Sequence, residues 1–110
     1  MSKYGAVRTE VDGISFASKK EARRYSELRL LERAGKIECL RLQPRYPLVV
    51  ANKLVCTYVA DFAYHLLEKD EDGWKVYSLI VEDAKGMKTP VYKLKAKLFE
   101  ACMGFAITEV

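Results

Sequence analysis

Two carboxylates and one amine interrupt long apolar runs in this chain. Asp61 sits inside Tyr58-Val59-Ala60-Asp61-Phe62, and Asp83 and Lys85 close the run Trp74 to Lys85. Side chains of a strand alternate between its two faces. Tyr77, Leu79, Val81, Asp83 and Lys85 therefore share one face, and Val76, Ser78, Ile80, Glu82 and Ala84 share the other. The first face is apolar for three positions and then ends in a carboxylate and an amine, although unpaired charge is costly to bury. If residues 54–66 and 74–85 pair as antiparallel strands across the turn at 68–73, Asp61 comes near Asp83. Two clustered carboxylates repel each other, and a magnesium ion relieves that repulsion. Magnesium takes a few carboxylates together with water and phosphate oxygens. Lys85 could then hold an attacking water or stabilise charge developing on phosphorus. The same spacing also fits a surface ion pair, with Asp61 as a turn or edge residue.

The elements that must position these groups can be read along the chain. Asp12-Gly13 is a two-residue turn signal within a short hairpin over residues 7–16. Ser18 followed by Glu21 is a capping box that opens a helix over about 19–34, with Gly35 as its stop. Ala22, Tyr25, Leu28 and either Leu31 or Ala34 supply the apolar stripe of that helix. Ile37 to Leu42 alternates as a strand, Pro44 and Pro47 argue against regular pairing, and Leu48 to Val50 is a short extended piece. Residues 54–66 form one long β-prone run, and Asp72-Gly73 tips the turn before the returning strand 74–85, which Gly86 ends. Thr89-Pro90 opens a second helix over about 90–103 that stops at Gly104, and Phe105 to Val110 is a last short strand. This order predicts a single α/β (α+β) domain over residues 1–110, with a central mixed sheet flanked by two main helices.

Composition narrows the chemistry. The chain has 110 residues, half of them apolar, and a net charge of +4. That balance is only mildly basic, but its placement is uneven. Lys19, Lys20, Arg23 and Arg24 form one basic cluster, and Lys85, Lys88, Lys93, Lys95 and Lys97 form another. Glu68, Asp70, Glu71 and Asp72 gather the acids at the hairpin turn. The segregation fits one phosphate-facing side, and it fits two solvated helix faces equally. Cys39, Cys56 and Cys102 are odd in number and far apart, and His65 is the only histidine. This spacing argues against a disulfide framework and against a Cys/His zinc site. The N-terminal stretch lacks a hydrophobic signal region, and no apolar run approaches the ~20 residues of a membrane span. A cytoplasmic protein is expected.

The pattern Asp61, about twenty residues, then Asp83-Ala84-Lys85, with flanking strands and a following helix, resembles the PD-(D/E)XK nuclease superfamily. The blocks VDGISFASKKEARRY, LLERAGKI, LQPRYPL, YVADFAY and VEDAKGMKT are similar, in order, to small phage and prophage endodeoxyribonucleases related to Holliday-junction resolvases. The resemblance implies a restriction-endonuclease-like core and magnesium-dependent phosphodiester hydrolysis, with manganese able to substitute. It assigns catalysis to Asp61, Asp83 and Lys85. It assigns metal binding to Asp61, Asp83 and the Ala84 carbonyl, with Glu21 as a further acid from the preceding helix. Ala60 stands where the superfamily usually has proline. Glu82 falls on the opposite face and is read as a non-ligand, and Glu21 fits a helix cap as well as a ligand.

Lys19, Lys20, Arg23, Arg24, Lys88, Thr89 and Lys95 are candidate DNA contacts, with Lys88 and Thr89 at a helix N-terminus suited to phosphate. Thr89 also fits a simple cap. Gln43 is a site-adjacent candidate that fits local backbone bonding at least as well. Branched DNA needs two symmetric cuts, which suits a homodimer. Two other functions stay open: a non-catalytic DNA-binding module, and a subunit active only within a larger complex.

Overall fold

A computed structural model of the protein describes residues 7–73, 75–85 and 87–110. The expected strand start at Trp74 and stop at Gly86 lie outside the described residues. The elements run β1 (Thr9–Val11), β2 (Ile14–Phe16), α1 (Lys19–Arg33), β3 (Ile37–Leu42), β4 (Arg45–Val50), β5 (Lys53–Val59), β6 (Phe62–Lys69), β7 (Lys75–Asp83), α2 (Pro90–Met103) and β8 (Thr108–Glu109). The central sheet has the order β3-β6-β7-β8, antiparallel except for the parallel β7–β8 pair. β1–β2 and β4–β5 are separate hairpins. This is the expected α+β domain with a mixed sheet and two helices.

Both helices end where local chemistry ends them. The Ser18 hydroxyl accepts the Glu21 N–H at 3.1 Å, satisfying one free donor of the first turn of α1. The Thr89 hydroxyl does the same for Tyr92 at 3.1 Å, with Pro90 in the first turn of α2. Gly104 closes α2 at φ +85°, a conformation that glycine adopts without penalty.

The middle of the chain departs from the sequence reading. Pro47 lies inside β4, opposite Thr57. Among the described residues β4 pairs with β5 alone, and an edge strand tolerates a missing N–H on its open side. Ala51 and Asn52, both at positive φ (50° and 63°), make the turn into β5 without the glycine that normally marks it. The run 54–66 is two strands. The chain leaves β4–β5 at Ala60, whose N–H donates to Pro44 O at 3.1 Å. It joins the central sheet at Asp61, whose N–H donates to Glu82 O at 3.1 Å.

Two cores hold the layers together. Phe16, Ala22, Tyr25, Leu28, Ile37, Phe62 and Tyr64 join α1 to one face of the sheet. Leu48, Tyr58, Ala60, Ala63, Val81, Tyr92 and Phe99 join α2 and the β4–β5 hairpin to the other. The register Phe62↔Glu82 and Ala63↔Val81 places Val81 and Asp83 on the α2 side and Ile80 and Glu82 on the α1 side.

Glu82 is fully buried against α1. Arg24 grips it with both ends of the guanidinium, Nε to Oε1 at 2.8 Å and Nη2 to Oε2 at 2.6 Å, and the Tyr64 hydroxyl donates to Oε2. Glu27 holds the third arm of Arg24 at 3.0 Å. Arg24→Ala leaves a buried carboxylate without its cation, so urea denaturation should show a loss of about 3 kcal/mol, the low end for a broken buried pair because Tyr64 remains. An unchanged midpoint would mean that this pair does not hold α1 to the sheet.

Candidate active site

The junction of β5, β6 and β7 collects the polar groups that the sequence singled out. Asp61 is fixed by its backbone: its N–H reaches Glu82 O, and its carbonyl accepts the Gln43 N–H at 2.9 Å. Gln43 thus touches the site through its main chain, at φ +50°, and its side chain is exposed. The Asp61 carboxylate accepts the Ala84 N–H at 2.7 Å. Ala84 therefore meets the site through its amide.

Asp83 is fully buried. Its Oδ2 accepts the Tyr58 hydroxyl, and its Oδ1, which receives no hydrogen bond among the described residues, lies 3.4 Å from Lys85 Nζ. Burial pushes the Asp83 carboxyl above its ordinary range, and the Asp61 carboxylate beside it pushes the same way by charge and by hydrogen bonding. The Tyr58 bond and the Lys85 ammonium oppose the rise. Tyr58 is in turn driven well above the ordinary phenol range, first by burial and then by its bond to Asp83. Lys85 Nζ also lies 5.5 Å from the centre of the Tyr92 ring, a distance at which the ring face attracts a cation. Burial, followed by the charge of Asp83, pushes the Tyr92 hydroxyl up to about 12.

Glu21 approaches from the first turn of α1 and is buried. Its carboxyl is pushed up to about 7, first by burial and next by the negative charge of Asp61. The Ala17 N–H and Lys85 pull it down, and Asp83 adds to the rise. The Glu21 N–H is thus capped by Ser18, and its carboxyl senses both aspartates. The structure therefore brings Glu21, Asp61, Asp83 and Lys85 into one electrostatic cluster. Asp61 and Asp83 form the close pair. Three ligand atoms from Glu21, Asp61 and Asp83 do not fall within 4.8 Å of one another, so Glu21 would have to swing inward to join a shared ion.

The proposed DNA contacts divide. Lys19, Lys20 and Arg23 are exposed on the first turns of α1, flanking Glu21. Arg24 is committed to Glu82 and does not belong with them. Lys88 is ion-paired with Glu109, and Thr89 caps α2. Lys95 and Thr89 line an open groove of about 280 Å³ with Lys85, Thr57, Tyr58 and Tyr92. Tyr58 is the site residue that sequence reasoning missed: a tyrosine inside an apolar strand run reads as core, and it does lie in the core. Tyr92 lies in the same core, with its ring beside the Lys85 ammonium.

A mixed α/β domain with an acid–acid–lysine set at the end of its central sheet is the class that fold and site define. The chain belongs to the DUF1064 family, described as a protein of unknown function, whose pattern matches residues 1–105. No curated protein and no solved structure matches the chain. Among the described residues, no helix is long and apolar enough to cross a membrane.

The raised Glu21 carboxyl has a consequence for stability. In the unfolded chain Glu21 ionises near 4.5, and in the fold near 7. Between these values the folded state binds more protons, so this contribution is full below the lower value and is lost as pH rises through the upper one. In metal-free buffer, the melting temperature of wild type should fall relative to that of Glu21→Gln between pH 5 and pH 7.5. Parallel melting curves across that window would show that Glu21 feels no such environment.

Proposed function

We propose that this protein is a magnesium-dependent DNA endonuclease of the PD-(D/E)XK kind, with branched DNA as its candidate substrate. The observation that supports this reading best is the juxtaposition of Asp61 and Asp83, with Lys85 beside them and Glu21 facing them. Four ionisable groups meet there, three of them acids. Burial first, and the shared negative charge after it, raise two of the carboxyls, and the buried Asp83 Oδ1 receives no hydrogen bond among the described residues. A hard divalent cation suits such a donor set. Asp61 and Asp83 would hold it, with the Ala84 carbonyl and an inward-turned Glu21 as further oxygens, and manganese fits the same ligands. When bound, magnesium supplies positive charge to the scissile phosphate and lowers the pKa of a coordinated water.

The residues of the chain do the rest. Lys85 is held at the mouth of the site by Asp83 and the Tyr92 ring, so its ammonium can orient the attacking water. It can also stabilise charge on the pentacoordinate phosphorus. Tyr58 fixes the orientation of Asp83. Lys19, Lys20 and Arg23 on one side, and Lys95 in the groove on the other, offer cations to the phosphate backbone. α2 and β5 leave apolar side chains exposed, Val91, Leu94, Leu54 and Val55 among them, and such surface supports a homodimer.

The test is cleavage of supercoiled plasmid and of a synthetic four-way junction in magnesium, with wild type beside Asp83→Asn. The variant should cut about 100-fold more slowly, the scale on which losing a group that stabilises a charged transition state acts. It should still bind DNA in the absence of magnesium, with a circular dichroism spectrum like that of wild type. A wild type that leaves every substrate intact, or a variant that cuts equally well, overturns the enzyme reading. Magnesium at 100 times its Kd should also stabilise wild type by roughly 2.7 kcal/mol in urea titrations. An Asp61→Asn/Asp83→Asn double variant should lose that gain.

A further inference from the structure

We infer that the protein carries a second cation site, for zinc, built from Glu38, Cys39 and His65 on the side of the central sheet opposite α1. One ligand atom from each of these residues lies within 4.8 Å of the others. Spacing along the chain hides this group, because it forms across two strands.

The apolar phase of β3 creates it. Leu40 and Leu42 turn toward the α1 core, and so does Ile37. Strict alternation from Leu42 backwards would place Glu38 in that core as well. The register shift between Glu38 and Arg41 resolves the conflict. One extra residue enters β3, and Cys39 takes it up at φ +56°. A bulge leaves two successive side chains opposite one partner position. Here Glu38 stays paired with His65 on β6, and Cys39 turns to the same side. His65 is steadied by an edge contact with the Tyr77 ring, centroids 6.2 Å apart.

The donors are one thiolate, one imidazole and one carboxylate, the set that zinc binds and that magnesium does not favour. Thiolate and carboxylate together balance the charge of the ion. Zinc–ligand bonds of about 2.0–2.3 Å in a tetrahedron set donor atoms roughly 3.3–3.8 Å apart, which small side-chain rotations reach from the observed spacing. A pocket of about 40 Å³ lined by Cys39, Arg41 and His65 adjoins the group, room for one water in the fourth position. Four residues of strand, about 13 Å, separate His65 from Asp61. The site is therefore distinct from the acidic cluster and does not depend on the proposed nuclease reading.

Cobalt(II) is the spectroscopic probe. Titrated into the reduced, metal-free protein, it should produce a thiolate-to-cobalt charge-transfer band that saturates at one equivalent and is displaced by zinc. Cys39→Ser should abolish the band. His65→Asn should weaken cobalt binding at least about tenfold, since losing a ligand costs no less than losing its outer-shell partner. Asp61→Asn/Asp83→Asn should leave the band intact. In wild type, zinc should slow alkylation of Cys39 by iodoacetamide, mapped by peptide mass spectrometry. Absence of the band in wild type, its survival in Cys39→Ser, undiminished affinity in His65→Asn, or alkylation of Cys39 indifferent to zinc would each overturn the proposal.

Discussion

The antiparallel register of β6 against β7 is the constraint on which the site depends. Phe62 lies opposite Glu82 and Ala63 opposite Val81. Phe62, Tyr64 and Ile80 belong to the core under α1, and Ala63 and Val81 to the core under α2. Because side chains alternate, a slip of one residue would exchange these sets. Phe62 would lose its pocket beside Phe16 and Tyr25, and Asp83 would enter it. The apolar pattern of two strands therefore decides where two carboxylates point.

Those carboxylates are neighbours in sequence, both are fully buried, and they are treated in opposite ways. Glu82 meets a bidentate guanidinium and a tyrosine hydroxyl, the geometry in which buried charge is best tolerated. Asp83 meets a neutral tyrosine, an ammonium at 3.4 Å and a second carboxylate. One is neutralised, and the other is left short of positive charge. Packing alone does not require this asymmetry, since the chain has shown one strand position earlier how it satisfies a buried acid. Two carboxylates that share a single ammonium beside a groove are what supports the cation site proposed for them. α1 serves both sides, because Arg24 braces Glu82 and Glu21, one turn earlier, faces the aspartates.

Much of this was legible in the residues. Ser18, Gly35, Thr89-Pro90 and Gly104 mark both helices because caps are local chemistry. The turn expected at 68–73 marks the β6–β7 hairpin, although β6 runs on through Glu68 and Lys69, and that pairing alone brings Asp61 to Asp83. The signals that failed were long-range or atypical. Ala51-Asn52 makes a tight turn without glycine, and Pro47 sits in a strand whose open edge excuses it, so the β4–β5 hairpin stayed hidden. Arg24 read as a free cation because its partner lies far along the chain. Tyr58 read as pure core because nothing local shows which acid its hydroxyl meets. The bulge at Cys39 is visible only once three leucine and isoleucine positions are known to share one face.

The switch from β5 to β6 bears on the one departure of the sequence from the motif it resembles. Proline is usual before the first acid, and here Ala60 stands in its place. Ala60 is buried, and its N–H donates to the Pro44 carbonyl. Proline has no N–H to give, and burying that carbonyl without a partner would be costly. The next N–H, of Asp61, turns the other way to Glu82. Two successive amides thus bond to two different sheets, and the acid lies at the point where the chain passes between them. Alanine supplies both the donor and the small side chain that this crossing needs. The substitution leaves the backbone of Asp61 held from both sides, by Gln43 and by Glu82, so the aspartate keeps its place beside Asp83 without the stiffness of a proline.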